Sequence, residues 1–130
     1  MIEELELDLV KKYPKILRDY KGDMKVTCMA WGFQCMDGWY DLLEQLMHDI
    51  QNYCDDEKVQ VVVDQIKEKF GTLRFYYHTG DTTDDQYDHI RDIVKKAETA
   101  SAKICEKCGA LGELRGTHWL YTACFEHKKK

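Results

Sequence analysis

Six cysteines and five histidines are the side chains of this sequence best suited to bind a metal, and four of them fall into one pattern. In ICEKCGALGELRGTHWLYTACFEH, Cys105 and Cys108 make a CxxC pair, fifteen residues intervene, and Cys124 and His127 make a CxxH pair. Two ligands three apart on a tight turn reach adjacent corners of a tetrahedron, and a second such pair supplies the other two, a donor set and spacing that zinc favours. Gly109, directly after Cys108, fits this reading. The chain must reverse there with its amides facing the thiolates, and glycine tolerates the left-handed backbone required. The pattern predicts one Zn2+ held by Cys105, Cys108, Cys124 and His127. All four corners are then protein atoms and none is left for a catalytic water, so the ion is expected to be structural. It would hold together a segment too small to fold on hydrophobic burial alone.

Other candidates for chemistry are weaker. A redox CxxC expects a βαβ context, which is missing here. Cys28, Cys35 and Cys54 lack a comparable arrangement and read as packed thiols, with a second metal site at Cys28 and Cys35 as the alternative. His118 sits where a treble-clef nuclease places a general base, but the several convergent His, Asn or Asp ligands of such an enzyme are not nearby. Asp81, Asp84, Asp85 and Asp88 resemble a calcium loop, yet Gln86 stands where an EF-hand needs glycine and no glutamate closes the loop. Lys67, Lys69 and Arg74 interleave with Phe70, Phe75, Tyr76 and Tyr77 in the manner of an RNA-stacking strand. Those aromatics equally fit the inner face of a hairpin that must be buried, and core packing is the reading preferred. Nothing assembles a catalytic constellation, so the sequence reads as non-enzymatic.

The elements that must position the metal ligands follow from periodicity. Apolar residues from Ile2 to Tyr20 recur at helical steps, and Pro14 divides them into two short helices joined at Tyr13. A stronger helix begins at Asp37, suited to the N-cap, with Trp39, Leu42, Leu43, Leu46, Met47, Ile50 and Tyr53 on one face. The period then changes to two, predicting antiparallel strands over residues 59–69 and 72–78, with Gly71 in the turn. A hairpin alone is unstable in water, so it must pack on the helices or find a further strand around residues 25–29. Thr83 and Gln86 form a capping box for a helix running to Ala102, with Tyr87, Ile90, Ile93, Val94 and Ala97 buried. Beyond it, residues 112–115 and 119–122 read as strands joined by Gly116, and a helical turn carries the last two ligands, which is treble-clef order. The fold class expected is α+β: helices packed on a β-hairpin or small antiparallel sheet (residues 1–102), with a treble-clef-like zinc finger at residues 103–130 packed on that body.

At 130 residues, with 44% hydrophobic composition and a single proline, the chain suits one compact, fully folded domain. Residues 1–58 hold 7 Lys/Arg against 13 Asp/Glu, whereas residues 59–130 hold 12 against 11. An acidic half repels phosphate, so nucleic-acid contact would come from Lys103, Lys107, Arg115, Lys128, Lys129 and Lys130. The opening MIEELELDLVKK carries acids where a signal peptide needs a basic region, and no apolar run approaches the roughly 18 residues of a membrane span. The expectation is a soluble, cytoplasmic protein whose cysteines are not a disulfide framework.

Three segments, WGFQCMDGWYDLLEQLMHDIQ, VDQIKEKFGTLRFYYHTGD and SAKICEKCGALGELRGTHWLYTACFEH, together resemble a family of small zinc-binding proteins encoded in phage, prophage and bacterial genomes. The resemblance covers Trp31 to His127. It implies zinc at the four residues named above and a phage-related source, hence the cytoplasm of a bacterial host, and it implies no reaction. The reading preferred is a non-enzymatic zinc-binding protein that modulates or inhibits a host protein or ribonucleoprotein such as a defence nuclease, in the manner of an anti-CRISPR protein. A nucleic-acid-binding zinc finger is the alternative, and a metal-dependent nuclease centred on His118 the least favoured.

Overall fold

A computed structural model describes residues 1–129; Lys130, one of the basic tail residues, lies outside the described residues. The fold is α+β. Helix α1 (Glu3–Lys12) leads to strand β1 (Phe33–Gln34), helix α2 (Tyr40–Glu57), strands β2 (Val61–Lys69) and β3 (Thr72–Thr79), and helix α3 (Asp84–Ser101). Strands β4 (Glu113–Arg115) and β5 (Tyr121–Ala123) form a separate small hairpin. In the larger sheet β2 is central, antiparallel to β3 and parallel to β1.

The β2–β3 hairpin turns on Phe70 and Gly71, whose φ angles of 53° and 84° are both positive. Two-residue hairpins need that handedness to match the strand twist, and Phe70 adopts it despite its side chain. Val61, Val63, Ile66, Leu73 and Phe75 are buried on the inner face. Asp64 is an extra residue on β2, since Val63 opposes Tyr77 and Gln65 opposes Tyr76. This bulge lets Ile66 reach the same face as Val63. Helix α3 starts at the capping box: Thr83 Oγ1 accepts from Gln86 N at 3.1 Å and Gln86 Oε1 accepts from Thr83 N at 3.0 Å. It buries Ile90, Val94 and Ala97, while α2 buries Leu43, Leu46, Met47 and Ile50. Trp39 is fully buried at the head of α2.

Several expectations are corrected. After Tyr13 the chain forms irregular turns rather than a second helix, because Pro14 lacks a donor and the ladder ends with Tyr13 N on Leu9 O. Helix α2 begins at Tyr40, preceded by a 3₁₀ turn over Asp37–Trp39, and Asp37 does not cap it. Its Oδ1 accepts instead from Ile2 N at 2.8 Å. The third strand lies at Phe33–Gln34, not at residues 25–29, and pairs in parallel. Residues 25–29 run instead into a 3₁₀ turn, Cys28–Trp31, capped by Thr27. The buried Glu6 carboxylate explains the placement, accepting from Phe33 N at 3.0 Å and from the Tyr20 hydroxyl at 2.6 Å. Tyr87 is exposed rather than buried.

Candidate metal centre

The first ligand pair sits on a tight knuckle. Gly109 N donates to Cys105 O and Cys105 N to Ala110 O, each at 2.8 Å, and Gly109 has the positive φ of 82° that its position requires. The β4–β5 hairpin then returns the chain beside the knuckle, with Glu106 N donating to Thr122 O at 3.2 Å. The second pair rides on a 3₁₀ turn, Phe125–His127, with Cys124 at its N-cap, where a helical turn was expected. His127 N bonds Cys124 O, which folds the imidazole back towards the sulfurs.

The four ligand atoms lie within 4.8 Å of one another and could hold one metal ion. Cys124 Sγ is 3.2 Å and Cys105 Sγ 3.6 Å from His127 Nδ1, and Cys108 Sγ is 3.8 Å from Cys124 Sγ. A tetrahedral ion with bonds of about 2.3 Å to sulfur and 2.0 Å to nitrogen has edges of roughly 3.5–3.8 Å, so the donors fit. All six cysteines are free.

Local fields suit a cation. Burial opposes ionisation of Cys105, but the backbone N–H groups of Cys124, Cys108 and Lys107 together outweigh it and hold that thiol below the ordinary range. The Ala110 N–H favours a thiolate at Cys108, yet burial and the neighbouring sulfurs prevail and push that thiol up. Three thiolates side by side need a positive ion among them.

The body grips the centre at named points. Gly38 N donates to Glu106 O at 2.7 Å, and a Cβ on Gly38 would lie 2.2 Å from Cys105 O, so only glycine permits this approach. Trp39 Nε1 donates to Ile104 O at 3.0 Å, and Thr122 Oγ1 donates to Gly71 O at 2.6 Å. The buried Glu106 carboxylate accepts from Met36 N at 2.9 Å, and burial pushes its pKa up. Gly38, Trp39 and Glu106 were not legible as parts of the site; the adjacent Gly38-Trp39 in the segment WGFQCMDGWYDLLEQLMHDIQ was the available signal.

Of the basic residues considered for nucleic acid, Lys103, Lys107, Lys128 and Lys129 are exposed, with Lys128 over the Phe125 ring and Lys129 over that of Tyr121. Arg115 is committed internally, to Glu113 at 3.2 Å and to Ala123 O at 2.9 Å. Among the described residues the Cys105 cluster is the sole group of three or more His, Cys, Asp or Glu side chains placed to hold a metal. His118, Cys28, Cys35 and the aspartates Asp81, Asp84, Asp85 and Asp88 therefore belong to none. Cys35 and Cys54 are buried as packed thiols, whereas Cys28, expected to pack with them, is exposed at the start of the 3₁₀ turn Cys28–Trp31. Among the described residues no helix is long and apolar enough to cross a membrane. No family model, curated protein or solved structure matches the chain.

Proposed function

We propose that this is a non-enzymatic, zinc-folded binding protein, encoded by phage, that modulates a host macromolecule such as a defence nuclease. One observation carries the reading: three sulfurs and one imidazole nitrogen lie within 4.8 Å of one another, three of the separations being 3.2, 3.6 and 3.8 Å, so that four protein atoms could close around one ion. A thiolate-rich tetrahedral set selects zinc among the common cellular divalent ions, and a closed shell braces without reacting. Among the described residues, 103–129 bury only Cys105, Ala123 and Cys124 as an apolar cluster, which leaves the ion to order them.

Charge supports the modulatory half of the reading. Residues 1–102 carry 13 Lys/Arg against 21 Asp/Glu, and residues 103–130 carry six against three. An acidic body complements the basic groove of a nucleic-acid enzyme and speeds encounter with it. Nucleic-acid contact through the finger's cations is less favoured, because Arg115 is already engaged.

The test is elemental analysis of the purified protein, followed by capture of host proteins at physiological salt and reconstitution with each purified candidate. One zinc per chain and an altered activity of the captured enzyme are expected. Substoichiometric zinc would refute the metal reading, and unchanged activity of every reconstituted candidate would refute modulation.

A further inference from the structure

We infer that the outward face of the three-stranded sheet binds single-stranded nucleic acid. Cross-strand register places Lys69 opposite Thr72, Lys67 opposite Arg74, and Gln65 opposite Tyr76. Gln34 joins the same face through β1, its Oε1 accepting from Gln65 Nε2 at 3.0 Å. Their chain neighbours Ile66, Leu73 and Phe75 are buried, so this face looks away from the core.

Two features of the face work against folding. Like charges directly opposite on a sheet are destabilising, yet Lys67 faces Arg74. Among the described residues neither cation, nor Lys69, lies within ion-pair distance of a carboxylate, whereas Lys12, Lys21, Arg91 and Arg115 each do, at 3.0–3.3 Å. The nearest acids along β2 are occupied elsewhere: Glu68 accepts from Gly71 N at 2.8 Å, and Asp64 holds His78 at 2.7 Å. Arg74 Nε is buried and has no hydrogen-bond partner among the described residues. Beside these cations stand two aromatic rings in water, Tyr76 at 44% exposure and Phe70 at 64%, the latter held up on a left-handed backbone with Lys69 over its ring.

Local rules broken without a packing gain point to a ligand. Three cations without carboxylate partners call for a polyanion, and exposed rings among them offer stacking platforms for unpaired bases. Single-stranded nucleic acid supplies both, and the Gln34 and Gln65 amides supply hydrogen-bonding groups for base edges. A duplex hides its base faces, and the acidic remainder of the body repels its second backbone. This deepens the binding-module reading and rests on it: the acidic body addresses the host protein, and the sheet addresses a strand that protein holds.

Fluorescence anisotropy of the zinc-loaded protein with labelled RNA and DNA strands of about 12 nucleotides tests it. Binding to single strands, and weaker binding to the matching duplex, is expected; a preference between the RNA and DNA arms reports the 2′-hydroxyl. Tyr76→Ala should lower affinity roughly 5- to 100-fold and Tyr76→Phe should retain it, as stacking on a ring requires. Lys67→Ala should flatten the salt dependence by about 0.7 in slope while leaving thermal stability unchanged or raised. No binding at low salt, equal affinity for duplex, capture of proteins alone, or an unaltered Tyr76→Ala variant overturns the inference. Zinc content of the same sample separates the outcomes, because this face carries none of the metal ligands. Full zinc without strand binding removes the sheet inference alone, and strand binding without zinc removes the finger reading alone.

Discussion

Cys35 in the body and Cys105 in the finger are both buried, yet they are opposite kinds of thiol. Burial pushes Cys35 up to about 12, and it behaves as a small apolar side chain. Cys105 is held low because the backbone N–H groups of Cys124, Cys108 and Lys107 favour its thiolate more than burial opposes it. Burial therefore does not decide which cysteine becomes a ligand; the knuckle and the return of Cys124 and His127 beside it do, by bringing four donor atoms together. The contrast extends to what orders each region. The body has a continuous core running from Leu9 to Ala97, while the finger's own cluster is Cys105, Ala123 and Cys124.

Chelating the metal should produce the largest effect and break the finger alone. Bound structural zinc contributes on the order of 10 kcal/mol to such segments, so amide protection after Lys103 should vanish while helical circular dichroism from α2 and α3 persists. Cys108→Ser should reproduce this, and Cys35→Ser should not. Acid acts in the same direction, since protons compete with the metal for thiolates and imidazole: order in the finger is lost as pH falls and regained as it rises. Trp39→Ala should come next, at about 3–5 kcal/mol, and it should damage both regions because Trp39 fills the core and also donates to Ile104 O. Denaturant unfolding measures the loss. Gly38→Ala should cost about 1–3 kcal/mol and act at the junction, loosening the finger while body melting changes little. Thr83→Ala removes the cap of α3 for about 1 kcal/mol, with no change in zinc affinity by competition titration.

Much of this was legible where a signal is local. The CxxC and CxxH spacing pointed to the side chains that come together, the capping box at Thr83 announced α3, and alternation marked both long strands. What escaped depends on partners remote in sequence. A two-residue strand at Phe33–Gln34 has no periodicity, and it exists because Glu6 and the edge of β2 hold it. Asp37 looked like a cap until the main chain at Ile2 arrived to take its carboxylate. The seating of the finger on Gly38 and Trp39 is likewise long-range. Lys67, Arg74 and Tyr76 were visible as an interleaved pattern, but only the register showed them sharing the face opposite the buried aromatics.

The bulge at Asp64 carries a consequence of its own. Residues before and after it keep their sides of the sheet because the surplus residue is absorbed at one step. Excising Asp64 should therefore leave an uninterrupted strand with every flanking side chain facing as before, whereas removing Val63 should bring Asp64 to the inward place opposite Tyr77, and removing Ile66 should bring Gln65 to the inward place opposite Phe75. The middle of the central strand, ordinarily the most intolerant place for an indel, here contains a position where chain length can change without inverting inside and outside.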